Sequence, residues 1–430
     1  MEKIESKVEN MLANIVDERL DNGLEILLLP SRFQKTDIFQ LWCRVGSANE
    51  LDQKGMGLSH FLEHLLSVIK EKNKINHLTQ LLRNNGGKYV AQTSLDFVSY
   101  KMVVPSCFSK VSISKLIKAI LFRSEFSQFE EEKKIIMHEI THILNDPISN
   151  SSLLLFKSIF NGSPYGNPIF GYPDKLEKLH PNDVLEFYQF SYSLPNIVMI
   201  SNSTNLLREL KKELEVRPQM SCPGKNSKEN IKEAKIFTKK EPNLKKPVRI
   251  TENYPTKNTI LKIGFRGFPF GDNRNFPLMV LAEFLGKNET SLLLRRLKKQ
   301  KQGLEQIRCT YHPFKYTGLF TISCILTNSQ TVSIIEEYIL NEISRIIKNG
   351  LPEAKRLSRI KRKLIFDYLY HIENLPDFAS ILGYSKSVIG DHRFPINYIT
   401  SIKKVSEEDI LYAMQELFIN SEMAEVILQE

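Results

Sequence analysis

The second half of this 430-residue chain partly repeats the first. Ile38 to Val45 reads as a strand that ends at Gly46-Ser47 and leads through Gly55 and Gly57 into an apolar helix. Thr259-Ile260-Leu261-Lys262-Ile263-Gly264-Phe265 reads as the counterpart of that strand, and Phe276 to Leu285 as an apolar helix in the corresponding place. A repeated strand-then-helix order, in a chain long for a single core, predicts two related domains. Before the first strand come an N-terminal helix, a turn at Asp21-Asn22-Gly23 and a strand from Leu24 to Pro30. After the first helix come a helix from Asn76 to Arg83, a turn at Asn84-Asn85-Gly86-Gly87, and strands over Lys88 to Gln92 and Asp96 to Val104. The order predicts a mixed sheet with a helix on one face.

The two copies differ in chemistry. The first helix reads His60-Phe61-Leu62-Glu63-His64, whereas the second carries no histidine. Histidines at i and i+4 lie one turn apart on one helix face, so both imidazoles can reach a single metal ion, with Glu63 projecting beside them. A catalytic zinc takes three protein ligands and a water, which makes His60 and His64 two of the ligands and Glu63 a base for the water. The H-x-x-E-H order is the inverted zincin signature. A plainer reading of the same stretch is a core helix, because Leu58, Phe61, Leu62, Leu65 and Leu66 form an apolar stripe. A third ligand is needed in either order of the motif. Glu132 and Glu139, seven residues and so two turns apart in a helical stretch from Glu130, can each approach a metal.

A rival motif overlaps this one. His138-Glu139-Ile140-Thr141-His142 is an H-E-x-x-H, in which His138 and His142 would bind zinc and Glu139 would be the base. No H-x-x-G-x-x-H continuation follows His142. The nearest downstream carboxylates, Asp146, Asp174 and Glu177, lie in segments broken by Pro147 and Pro173, where the sequence shows no helical pattern.

Several blocks in order give the chain a resemblance to the pitrilysin/insulinase family of zinc peptidases, which includes the mitochondrial processing peptidases and small bacterial relatives. The blocks are Gly57 to His64, Gly86-Gly87 with Thr93-Ser94, Glu132 to Glu139, and Pro164-Tyr165-Gly166 with Gly171. The resemblance implies an α+β fold: two homologous domains, each a mixed, mostly antiparallel sheet flanked by helices, closing as a clam-shell chamber for unstructured peptides. Its domains would be residues 1–221 with the zinc site, a basic linker at 222–247, and residues 248–430 without metal ligands. It further implies Glu139, 75 residues past His64, as third zinc ligand, and Glu132 as an outer carboxylate that orients a ligand or supports the water. Zn2+ is the implied cofactor and peptide hydrolysis, leader or signal peptides among the substrates, the implied activity.

By the same resemblance the strand after Gly87 receives peptide substrate at a sheet edge, where unpaired backbone N–H and C=O groups accept an added strand. The residues there are Val90, Ala91, Gln92 and Thr93, without the asparagine that relatives usually carry. Active relatives also have an arginine and a tyrosine in the second domain that stabilise the developing oxyanion. Aligned on Ser291-Leu292-Leu293-Leu294 and Gly303-Leu304, those positions are Lys298 and Gln306, and Tyr311 is too far along to stand in simply. Losing an oxyanion donor costs roughly 100-fold to 1000-fold in rate. The pattern therefore implies a homologous partner subunit that supplies the arginine and tyrosine. The alternative from another class is a catalytically silent subunit that binds peptide or stabilises a true peptidase.

Composition excludes several other classes. With 42% hydrophobic and 25% charged residues and no apolar run long enough to span a bilayer, nothing indicates a membrane protein. Glu2, Glu5, Glu9, Asp17 and Glu18 argue against an acid-poor transit peptide, and the charged opening residues against a signal peptide, so the expected location is cytoplasmic. Five cysteines without C-x-x-C spacing indicate neither a disulfide framework nor a cysteine zinc site. The net charge of +10 is partly local, since residues 225–246 hold eight lysines against three glutamates among prolines. That pattern suits a solvated linker, and without interleaved aromatics it gives no nucleic-acid site.

Overall fold

The computed structural model describes residues 12–30, 35–50, 55–71, 74–123, 125–126, 128–203, 214, 247–286, 290–299 and 303–430. The N-terminal helix and the basic linker expected from the sequence therefore fall mostly or wholly outside the described residues. Two compact units are formed. The first comprises Met1–Ile140, Asn167–Ile236 and Tyr370–Ile396, the second Thr141–Gly166, Phe237–Leu369 and Asn397–Glu430.

The first unit is built on strands β1 (Val16–Arg19), β2 (Glu25–Leu28), β3 (Thr36–Cys43), β6 (Lys88–Thr93), β7 (Val98–Pro105) and β8 (Ile197–Ser201), in the order β1-β2-β8-β3-β7-β6; β4 (Val68–Glu71) and β5 (Lys74–His77) form a separate hairpin. Only β2 and β8 run parallel. The second unit contains β9 (Val248–Asn253), β10 (Thr259–Gly267), β11 (Leu304–Pro313), β12 (Gly318–Leu326) and β13 (Met423–Gln429), in the order β11-β12-β10-β13-β9. Its one parallel pair is β13 with β9. Counted from the β6 and β11 edges, the first five strands of each sheet correspond, with the parallel pair in the same place and β1 as an extra strand of the first. The repeat of Ile38–Val45 by Thr259–Phe265 is thus a true correspondence, because β3 and β10 occupy the same position. The fold is α+β, with two mixed, mostly antiparallel sheets and flanking helices.

Both sheets are covered by apolar helix faces. Helix α1 (Leu58–Leu66) buries Leu58, Phe61, Leu62, Leu65 and Leu66, each at 3% exposure or less, and each worth about 1.5–3 kcal/mol in transfer terms. In the second unit the helix Asn275–Gly286 is buried along nearly its whole length. The helix Leu375–Val388 returns from late in the chain to cover β3 and β8. There Trp42 lies so close that a Cβ on Gly383 would come within 2.2 Å of its Nε1, so only glycine fits. Gln40 donates to the Pro376 carbonyl (2.9 Å) and accepts from Trp42 Nε1 (3.0 Å).

The residues after Pro147 and Pro173 are helical, contrary to the sequence expectation. Helix α2 (Phe129–Asn145) is followed by α3 (Pro147–Ile159), capped by the Asp146 carboxylate on Ser149 N–H (2.8 Å), and a short helix spans Pro173–Glu177. Each proline occupies a helix's first position, where its fixed φ suits the helix and its missing N–H has no partner to lose. The sequence also gave no sign of β1, a short strand with no alternating pattern. Among the described residues no helix is long and apolar enough to cross a membrane.

Candidate metal and peptide-cleavage site

Helix α1 has two faces. Its stripe of leucines and Phe61 enters the core, while His60, Glu63 and His64 lie half-buried along the margin. The core-helix reading and the metal reading of this segment are therefore both descriptions of one helix. Its start is held from outside the motif. Gly57, at φ 74° and ψ 27°, has no side chain to cap the helix, and the Glu50 carboxylate accepts the N–H groups of Gly57 (3.0 Å) and Ser59 (2.9 Å) instead. A negative group there also opposes the helix dipole favourably. Burial nevertheless pushes the Glu50 carboxyl up to about 7, against the pull of those backbone donors.

His60 and His64 stand edge to face, with ring centroids 4.8 Å apart. Their Nε2 atoms face the Glu139 carboxylate from α2, at 3.8 Å for His60 and 3.5 Å for His64. One donor atom from each of the three residues lies within 4.8 Å of the others, and no other such group of histidine, cysteine or acid side chains occurs among the described residues. Glu132, two turns earlier on α2 and 5% exposed, receives a hydrogen bond from His64 Nδ1 at 3.1 Å. A carboxylate can only accept, so Nδ1 carries a proton, and Nε2 is the ring nitrogen turned toward Glu139. His60 Nδ1 is buried without a hydrogen-bond partner. Two imidazole nitrogens and one carboxylate oxygen, with one ring oriented from behind, are a donor set that suits zinc and leaves a position open. The residues present fit that metal.

Burial, with the neighbouring His64, pushes the His60 imidazole down to about 4, Glu139 pulling the other way. Burial also opposes charge on His64, but its bonds to Glu132 and Glu139 prevail and hold it at about 9. Glu139 is lowered by its bond to His64. Burial raises the Glu63 carboxyl, opposed by a 2.5 Å hydrogen bond that Thr93 Oγ1 donates to Glu63 Oε2.

That last contact ties the motif to the sheet edge. Strand β6 is the outermost of its sheet, and Val90 is 58% exposed on it, with Ala91 half-buried, Gln92 exposed and Thr93 turned to Glu63. The rival histidines, His138 and His142, are both exposed on α2 and belong to no metal-competent group. In the second unit Lys298 is exposed on the helix Leu292–Lys299, and Gln306 is exposed beside a register irregularity at the start of β11. Tyr311 is committed to its own unit: its hydroxyl donates to Asn275 Oδ1 (2.5 Å) and accepts from Phe268 N–H (3.0 Å). Sequence reasoning missed Glu50, since no local pattern joins it to a helix that begins eight residues later.

The donor set is that of a candidate zinc site, carried on an α+β scaffold of two related sheets. Residues 26–172 match the model of the insulinase family (peptidase family M16), and residues 178–364 match that of the peptidase M16 inactive domain. The chain belongs to the insulinase, or M16, family of peptidases. It is 24% identical over 400 residues to an uncharacterized zinc protease of Bacillus subtilis, covering 92% of this chain and 94% of the relative. A "probable mitochondrial-processing peptidase subunit beta" of Arabidopsis thaliana is 21% identical over 383 residues, covering 85% and 68%. A protease from Helicobacter pylori shares the fold with a TM-score of 0.83 at 19% identity, over 97% of this chain and 99% of that one.

Proposed function

We propose that this chain is the zinc-binding subunit of a metalloendopeptidase that cleaves unstructured peptides, leader or signal peptides among them. The observation that carries the reading is the convergence of His60 Nε2, His64 Nε2 and Glu139 on one point, with Glu63 beside them. These three residues would hold zinc, and when bound the ion supplies Lewis acidity that activates water and polarises a peptide carbonyl. Glu132 keeps His64 in the ligating tautomer. Glu63 accepts the attacking water's proton at its carboxylate and returns it to the leaving amine. Thr93 positions that carboxylate, and the free edge of β6 takes the substrate backbone as an added strand through Val90 to Thr93.

The second domain has Lys298 and Gln306 where relatives place the arginine and tyrosine, so the reading includes a homologous partner that supplies this pair. Relatives named as mitochondrial-processing peptidase subunits make a two-chain assembly a natural precedent. Gln306 also favours a second reading, in which the chain binds peptide for an active partner without itself cleaving. We place the work in the cytoplasm, where the four described cysteines, all free, are at home.

The test is zinc content and peptide hydrolysis of the native chain, with a homologous partner present, against Glu63→Gln. The variant should keep its zinc and lose roughly 100-fold to 10,000-fold in turnover, the range for a general base. Near-normal turnover would assign the water's activation to another group, and absence of turnover in the native chain would favour the silent subunit.

A further inference from the structure

One face of the second sheet carries two cations, Lys262 and Arg308, that meet no carboxylate in an ion pair among the described residues. Period-two alternation along β11 turns Ile307, Cys309 and Tyr311 inward and sends Gln306, Arg308, Thr310 and His312 to the other face. Helix α3 packs on that same face, with Leu155 against the Cα of Gly264. Beside it lies a cavity of about 460 Å³ lined from β10, β11, β12 and α3, with Lys262, Arg308 and His312 in its wall and no aspartate or glutamate.

Lys262 rises from β10 beneath α3 and is itself only 6% exposed. Its ammonium donates to the Ile148 carbonyl (2.8 Å) and to Ser152 Oγ, and among the described residues neither it nor Arg308 makes an ion pair. Asp146 acts on Lys262 only through space, its carboxylate being engaged at the Ser149 N–H. Burial consequently pushes the ammonium down to about 8, the mark of a cation stripped of water without full compensation. Thr310, Thr321 and Ser323 add hydroxyl groups to the same wall. No strand among the described residues pairs with the outer edge of β11, so backbone donors and acceptors run alongside the cationic wall.

We propose that this cavity binds a carboxylate of an extended peptide lying along β11, with Lys262 and Arg308 as its cationic partners. The occupant is an acidic peptide: either an Asp or Glu side chain reaches in, or the peptide's C-terminal carboxylate does. Charge complementarity selects it, because two cations with no ion-pair partner among the described residues favour an anion, and the exposed edge favours an extended backbone over a compact ligand. The proposal rests on the reading of the chain as a peptide-handling protein and adds a preference for acidic substrates.

The experiment measures binding without turnover, on the full chain carrying Glu63→Gln, by anisotropy of three labelled unstructured peptides. One has glutamates at alternating positions and an amidated C-terminus; the second replaces those glutamates by glutamine; the third is the glutamine peptide with a free C-terminal carboxylate. The first or the third should bind about tenfold or more tightly than the second, and which one does so identifies the source of the carboxylate. Arg308→Gln, at an exposed position that should not disturb folding, should remove most of that advantage, and Lys262→Met the remainder. Equal binding of all three peptides, or an advantage untouched by Arg308→Gln, overturns the proposal. Hydrolysis assays on the unaltered chain separate the two readings. Cleavage without acidic preference leaves the peptidase standing and the cavity without its role, while acidic preference without cleavage does the reverse.

Discussion

Exchanging Glu132 for glutamine should weaken zinc binding without abolishing it, and exchanging Glu139 should do far more. The two carboxylates sit on the same face of α2, yet Glu139 faces the Nε2 atoms of both histidines while Glu132 meets only the rear of His64, at 3.1 Å from Nδ1. Glutamine at 132 keeps the volume of a side chain that is 5% exposed, so the helix should not collapse. What it loses is the charge that makes the imidazole a stronger donor to metal, and the acceptor-only character that fixes the tautomer, because an amide can also present its NH2 to Nδ1. Removing such outer partners costs roughly 10-fold to 100-fold in metal affinity, which is about 1.4–2.7 kcal/mol. Glu139→Gln removes a ligand's charge from the cluster itself and should lose more than that range. Competition against a chromophoric chelator at neutral pH measures both, with thermal denaturation as a control for folding. Unchanged affinity in Glu132→Gln, or a greater loss there than in Glu139→Gln, would refute the division of labour drawn from the geometry.

Gly57→Ala should destabilise the first unit by about 2–4 kcal/mol, because a left-handed backbone disfavours a side chain and overpacking adds further cost; the new Cβ would lie 2.3 Å from the Phe170 carbonyl oxygen. Chemical denaturation of the variant checks it, and a loss under 1 kcal/mol would mean the loop moves freely. Glu50 makes a pH prediction, since its folded-state carboxyl is raised from 4.5 to about 7 by burial. Its contribution to stability is fully present below pH 4.5 and is lost as pH rises through about 7, by at most about 3 kcal/mol. The stability difference between the native chain and Glu50→Gln should therefore drift in favour of the variant across that window, and a flat difference would contradict it. Finally, the chain alone should bind zinc but cleave peptide poorly, and adding a homologous chain with the Arg/Tyr pair should raise turnover by about 100-fold or more; full activity alone would remove the need for a partner.

Much of the site was legible in the chain because its parts are local. An i, i+4 histidine pair with an adjoining glutamate needs only helix geometry to share a face, and Glu132 and Glu139 needed only the same rule. The duplicated order of strand and apolar helix likewise survived in the residues, and the two sheets bear it out down to the position of the parallel pair. Local rules misled at Pro147 and Pro173, where a residue that breaks a helix interior starts a helix. They could not choose between Glu132 and Glu139, or between two overlapping zinc motifs, because the choice depends on which side of α2 faces α1. Tertiary structure turns Glu139 to both imidazoles and leaves His138 and His142 exposed. It alone brought Glu50 to the start of α1, Thr93 to Glu63, and the helix Leu375–Val388 back over β3. Those contacts join residues well separated in the chain, and no periodicity can encode a distance that only packing sets.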